Sequence, residues 1–341
     1  MLRRAPNSGG RGFTYTSLRG KRMEEGLPPA VPFLPHRLIK MNTRHLVIGT
    51  EGELLLLGDG LEPHGPPATP FPMRISHATT HNGVLLATWI DGELMKARMA
   101  AINLDAPLED GVARAVLRTH TDPSNPLHPA GAAWSHVLDA EPLALAANED
   151  AVVFALWRRG LYAITHDASE RWRQPEPAWS YTKTRPRTTE IVAVHLEDET
   201  FTLTSRGGRV QRRRLDSGDL VEEFIAEGPE APIEHHFREG DHHLMVSTTG
   251  AMHWLYGDRV IAKVQAGGAV QSATWDQQWQ GWRVAGWREE ILISTERTER
   301  HEWDEIPVAV LPVTNGALVL FNDGSWANSP FERHLGSTEA A

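Results

Sequence analysis

The amino-acid sequence predicts an all-β fold, a seven-bladed β-propeller, with six or eight blades as the alternatives. Three observations carry that expectation. One hairpin frame recurs along the 341 residues, its copies stand about one propeller blade apart, and three copies place tryptophan at the same point of the frame.

The frame is clearest in two stretches that align without a gap. "HLVIGTEGEL" (residues 45–54) and "HLMVSTTGAM" (residues 243–252) both read His, Leu, an apolar pair, a small residue, Thr, any residue, Gly, any residue, apolar. An apolar run, a Thr-x-Gly turn and a second apolar run describe two antiparallel strands joined tightly. The turn positions are Thr50 with Gly52, and Thr248 with Gly250. "TLTSRGGRV" (202–210) puts Ser205 and Gly208 there, and "LPVTNGALVLF" (311–321) puts Thr314 and Gly316 there. "LATWIDGEL", "FALWRRGLY" and "VAGWREEIL" put Trp89, Trp157 and Trp287 at the Thr position.

The seven markers are separated by 39, 68, 48, 43, 39 and 27 residues, an average of 44. A repeat of about 40–45 residues built from short strands is the signature of a propeller blade. A blade cannot bury its own faces, so neighbours must stack around an axis and share their cores. The interval of 68 holds the Pro-rich stretch "THTDPSNPLHPAGAAW" (119–134), expected as a loop between blades. The interval of 27 implies either a trimmed last blade or a misplaced marker at Trp287. Closing the ring calls for a further strand. "GFTYTS" (12–17) has the alternation for it; if the chain starts at Met23, residues 37–41 or a C-terminal strand must serve. The expected organisation is a basic, flexible arm over 1–30, one propeller domain over 31–330 and a tail over 331–341.

Two repeats carry a family resemblance. "TFTLTSRGGRVQRRRLDSGDLVEEF" (200–224) runs strand, turn glycine, strand, then Asp-x-Gly leading a last strand. "ALWRRGLYAITHDASERWRQ" (155–174) is similar and ends on a late tryptophan, Trp172. Both resemble the repeats of the quinoprotein (PQQ-like) propellers, a class that grades into WD40-like proteins, and the likeness spans roughly residues 35–330. It implies fold and not activity, since such repeats serve both quinone-dependent dehydrogenases and non-catalytic scaffolds. A dehydrogenase of that family would carry larger inserts, a calcium site and usually a secretion signal, none of which is recognisable here. The repeat also accounts for Trp89, Trp157 and Trp287, expected to pack between blades.

Composition bounds the function. The chain has no cysteine, which excludes disulfides, thiolate metal sites and a cysteine nucleophile and fits a reducing, cytoplasmic setting. No apolar run is long enough to span a membrane. The net charge of −10 is uneven: residues 1–22 hold six basic residues and no acid, leaving 28 basic against 44 acidic residues in the rest. An acidic body is not the footprint of a nucleic-acid binder. The Arg-rich, acid-free start fits a transit segment, a flexible arm, or a start at Met23.

Four constellations could carry chemistry. "EHHFREGDHHLMVSTTG" (234–250) holds two histidine pairs, His235-His236 and His242-His243. If Glu239-Gly240 forms the turn, His236 faces His243 with Glu234 on the same face, a possible zinc site. If Gly240-Asp241 forms it, His243 faces Arg238 instead. Basic stretches supply Arg171, Arg173, Arg185 and Arg187, interleaved with Trp179, and then Arg206, Arg209, Arg212, Arg213 and Arg214. On an acidic body these are docking candidates for an acidic protein partner. "WDQQWQGWRVAGW" (275–287) adds Trp279 and Trp282 as candidates for a rim site for a partner or a sugar. "TERTERHEWDE" (295–305) reads as a solvated ion-pair stretch. No nucleophile elbow, phosphate loop or dinucleotide fingerprint occurs, and no cofactor is expected. The sequence therefore predicts a non-catalytic propeller scaffold that binds a protein, with an enzyme or small-ligand propeller using its central channel as the alternative.

Overall fold

The computed structural model describes residues 26–122, 124–181, 187–314 and 316–331. Its strands form seven antiparallel sheets, each a meander in chain order. Blade 1 is β1 (Pro35–Lys40), β2 (His45–Gly49) and β3 (Leu54–Leu57). Blade 2 is β4 (Arg74–His81), β5 (Val84–Asp91), β6 (Lys96–Asn103) and β7 (Ala132–Leu138), with a short helix α1 (Arg114–Thr119) before β7. Blade 3 is β8 (Pro142–Ala147), β9 (Val152–Leu156), β10 (Gly160–Ile164) and β11 (Glu170–Gln174). Blade 4 is β12 (Ile191–Leu196), β13 (Thr200–Ser205), β14 (Arg209–Arg214) and β15 (Leu220–Ile225). Blade 5 is β16 (Ile233–Glu239), β17 (His242–Ser247), β18 (Ala251–Tyr256) and β19 (Arg259–Gln265). Blade 6 is β20 (Ser272–Asp276), β21 (Gly281–Gly286), β22 (Glu289–Ile293) and β23 (Thr298–Glu302). Blade 7 is β24 (Pro307–Val313), β25 (Gly316–Phe321) and β26 (Trp326–Asn328). The fold is a seven-bladed β-propeller.

The first strands ring the axis: β24 contacts β1, and β4, β8, β12, β16, β20 and β24 contact one another in succession. Seven apolar clusters fill the seven junctions between blades. The second and third strands are covered on both faces, so they read as continuous apolar runs such as the fully buried β2 and β3.

A repeated hydrogen bond defines the frame. The residue just past the second strand donates its N–H to the carbonyl just before the first strand: Thr50 to Leu34, Trp157 to Glu141, Arg206 to Glu190, Thr248 to Pro232 and Asn322 to Ile306. The separation is sixteen residues every time. This corrects three of the sequence markers, the first being Ser205, which lies inside β13 opposite Ile191, one residue before the frame position Arg206. Thr314 lies in the turn between the first and second strands of blade 7, and Asn322-Asp323-Gly324 is the true counterpart. Measured to Asn322, the last interval is 35 residues and Trp287 is correctly placed. Trp89 falls one residue early, inside β5 opposite Ile75, where Gly49 stands opposite Pro35 in blade 1.

Two further expectations change. The Pro-rich stretch is not a link between blades; it belongs to an insertion between β6 and β7, within blade 2. Lys96 ties that insertion down by donating to the carbonyls of Leu117 and His120, and Arg98 donates to that of Leu127. The proposed closing strand at 12–17 lies outside the described residues. Among the described residues the ring closes through side chains and one backbone clasp. Val47, Leu55 and Leu57 of blade 1 share a cluster with Leu311, Leu320 and Trp326 of blade 7, and Val31 N–H donates to Gly324 O at 2.9 Å. Gly324 has φ +85°, and a Cβ there would collide with the Val31 carbonyl, so the clasp requires glycine.

Candidate functional site

Six of the seven first strands carry a register shift near their start, at the second residue or, in β4, the third: His36, Ser76, Leu143, Val192, Glu234 and Val308. A bulge adds an unpaired residue and turns the strand locally. The first five of these residues line an axial cavity of about 610 Å³ that takes walls from all seven first strands.

The cavity is charged, and its charges are unevenly matched. Arg187 donates to the Glu190 carboxylate, and Arg206 pairs with the same group at 3.3 Å. Arg74 stands 3.4 Å from His36 Nε2. The Arg37 guanidinium makes no hydrogen bond or ion pair with any described residue. Burial, and then the Arg74 guanidinium, lower the Arg37 pKa below the usual arginine value. Burial, followed by Arg74 and Arg37, takes His36 down to about 4. Burial and Arg37 take His77 to about 4 although its Nε2–H donates to the Pro142 carbonyl at 3.0 Å. His235, across the axis on β16, is lowered by burial and also feels Arg37. Arg37 thus lines the cavity within electrostatic range of imidazoles on β1, β4 and β16.

The four sequence-selected histidines go to three places. The turn is Gly240-Asp241, so His243 lies opposite Arg238 and His236 opposite Met245. His236 and His243 are still diagonal neighbours on one face, with Nε2 and Nδ1 3.0 Å apart. Thr204 Oγ1 lies 2.7 Å from His236 Nδ1, and His195 Nε2–H donates to the His236 carbonyl. Burial brings His195 and His243 to about 4 and His236 well below the usual value. Beside them Arg238 pairs with Glu197 at 2.7 Å. His235 lines the axial cavity, and His242 stacks on Trp275 at 4.1 Å. Glu234 also lines the axial cavity, so the proposed zinc set of Glu234, His236 and His243 is not brought together. Among the described residues no group of three or more His, Asp or Glu side chains is arranged to hold a metal. The sequence reading missed His195, which arrives from blade 4 and has no local signal.

The basic stretches turn out to be largely self-neutralised. Arg173 pairs with Glu170, Arg209 with Glu223, Arg212 with Glu222 and Arg214 with Asp216. Arg213 is buried on the Gln211 side chain and the Gly218 carbonyl. Arg171 donates to the Asp150 carbonyl, and Arg185 lies outside the described residues. The expected rim tryptophans Trp279 and Trp282 are instead buried, and Trp179 of the basic stretch packs partly into the core between blades 3 and 4. Trp282 faces inward because its strand β21 is covered by both neighbouring blades, and Trp279, in the turn before it, packs with Leu292 and Phe331.

Large apolar residues do reach solvent at one end of the propeller. Leu34 precedes β1, Met95 is in the turn before β6, and Trp157 and Trp287 open the turns after β9 and β21. They are 59%, 89%, 40% and 53% exposed. Because every blade is an antiparallel meander, the turns after second strands and the links into first strands share one face. Trp157 also carries the Arg158 guanidinium 4.5 Å from its ring and borders a cavity of about 510 Å³ between blades 2 and 3.

No family model and no curated protein sequence matches the chain. Solved structures do. The computationally designed Ika8 protein superposes with TM-score 0.55 at 8% identity, over 88% of this chain and 97% of that one. The WD40 β-propeller domain of Doa1 gives TM-score 0.57 at 12% identity, over 87% and 92%. BamB from Moraxella catarrhalis gives 0.51 at 10% identity, over 83% and 80%. At these identities the likeness is one of fold, and the PQQ-like and WD40-like resemblance of the repeats holds at that level.

Proposed function

We propose that the chain is a cytoplasmic, non-catalytic propeller scaffold that binds a protein partner through its turn face. The observation that carries this reading is the set of exposed anchors Leu34, Met95, Trp157 and Trp287 on that one face. Tryptophan, methionine and arginine are enriched at binding hot spots, and such side chains stay exposed at a cost unless something covers them. The arginines of blades 3 and 4 are a weaker basis for contact, since most already hold a carboxylate. Exposed ion pairs such as those of Arg173, Arg212 and Arg214 contribute little more than about 1 kcal/mol each, the Arg209 pair is largely buried, and breaking any of them to receive a partner offsets the gain.

The test is a quantitative pull-down from the source cell with the full chain. Trp157→Ser and Trp287→Ser are compared with Tyr256→Ser, which alters an exposed aromatic at the end of β18, the third strand of blade 5. The proposal expects partners lost from the first two variants and retained by the third. An identical partner set in all three would sink it.

A further inference from the structure

We infer that the axial cavity is a binding site for a small phosphate-bearing anion, held by the guanidiniums of Arg37 and Arg74. This stands apart from the docking role, since it uses the interior of the ring and not its face.

The Arg37 guanidinium lines the ring's interior, half-buried, and has no acceptor among the described residues. A guanidinium partly withdrawn from water without a counter-charge is disfavoured, so such groups are ordinarily paired. The charge that perturbs it most is that of a second arginine, Arg74, on the adjoining blade. The cavity's carboxylates do not serve the pair: Glu190 is held by Arg187 and Arg206, and neither Glu141 nor Glu234 forms an ion pair with Arg37 or Arg74. Two adjacent cations with no carboxylate leave a local charge of +2. A single carboxylate ligand would neutralise half of that. A phosphate monoester is largely a dianion near pH 7 and offers three oxygens to forked donors, which matches two guanidiniums.

The surroundings fit the same chemistry. His36 lies on the wall as a neutral imidazole whose Nε2 faces Arg74, which leaves its Nδ1–H to donate to a ligand oxygen, while the N–H of His235 is held by the Val270 carbonyl. The volume of about 610 Å³ falls within the usual range for small-molecule sites, roughly 300–1,000 Å³. Bulges at His36, Ser76 and Glu234 depart from the regular ladder around this cavity, and bulges recur beside ligand sites where a side chain must be re-aimed.

The experiment measures thermal shift and calorimetric binding of the full chain with inorganic phosphate, glucose 6-phosphate, glucose, malonate and chloride at matched ionic strength. The phosphate-bearing probes are expected to raise Tm in a dose-dependent way, with no effect of glucose or chloride. Arg37→Gln and Arg74→Gln are expected to weaken that binding at least about tenfold, the loss of one charge-assisted contact. Arg37→Gln is also expected to raise the Tm of the unliganded protein, because it removes a like-charge repulsion with Arg74. Three results would overturn the inference: no phosphate probe binding better than chloride, malonate binding better than both phosphates, or Arg37→Gln lowering the unliganded Tm, as a purely structural arginine would.

Discussion

Trp89 and Trp157 look interchangeable in sequence and differ by one residue in the frame. Successive side chains on a strand point to opposite faces, so that single step moves an indole from the core to solvent. Trp89 is fully buried between blades 1 and 2, while Trp157 stands 40% exposed at a turn. Trp89→Ala is therefore expected to cost about 3–5 kcal/mol in urea denaturation and Trp157→Ser within about 0.5 kcal/mol. Equal costs would mean that the frame is misread. Gly324→Ala is expected to destabilise by about 1–3 kcal/mol, since it combines a left-handed backbone with a collision at the ring closure. The equivalence of His45 and His243 was legible: they face Lys40 and Arg238 at matching points of their hairpins.

At the level of the element, register decides chemistry. The turn at Gly240-Asp241 denied Glu234, His236 and His243 a common site, yet diagonal contact still joined the two imidazoles. Blade 6 shows the same dependence. Arg283 on β21 is wholly buried between Asp276 at 2.6 Å and Glu290 at 3.0 Å, and it also donates to Ser329 beyond β26. The stretch "WDQQWQGWRVAGW" contains Asp276 and Arg283, but its tryptophans drew attention to the surface, whereas the ion triad lies inside. Arg283→Leu leaves two buried carboxylates uncompensated, and burial already pushes the Glu290 carboxyl upward. A loss of about 3–5 kcal/mol is expected in chemical denaturation. A loss below about 1 kcal/mol would show that the triad is dispensable.

Across the whole molecule, enclosed histidines on the first and second strands couple the ring to pH. His36, His77, His195 and His243 each titrate at about 4, with burial as the leading cause. An unfolded histidine titrates near 6.5, so between about 6.5 and 4 the unfolded chain binds more protons than the folded one. Stability is therefore full above about 6.5 and is lost as pH falls toward 4, by at most about 3 kcal/mol for each enclosed imidazole. The urea midpoint should drop steadily over that interval, and His77→Gln should make the slope shallower. A midpoint unchanged from pH 7 to 4.5 would refute the linkage.

The sequence by itself determined the seven-fold repeat, the all-β class and the turn chemistry, because apolar alternation and turn residues act over a dozen neighbouring positions. It did not determine which side chains meet. The channel pair Arg37 and Arg74, the His195–His236–His243 cluster and the exposed Trp157 each depend on distant strands being wrapped around one axis. Only the tertiary structure decided those, because register and ring closure are set by packing between blades, and a shift of one residue reverses every face.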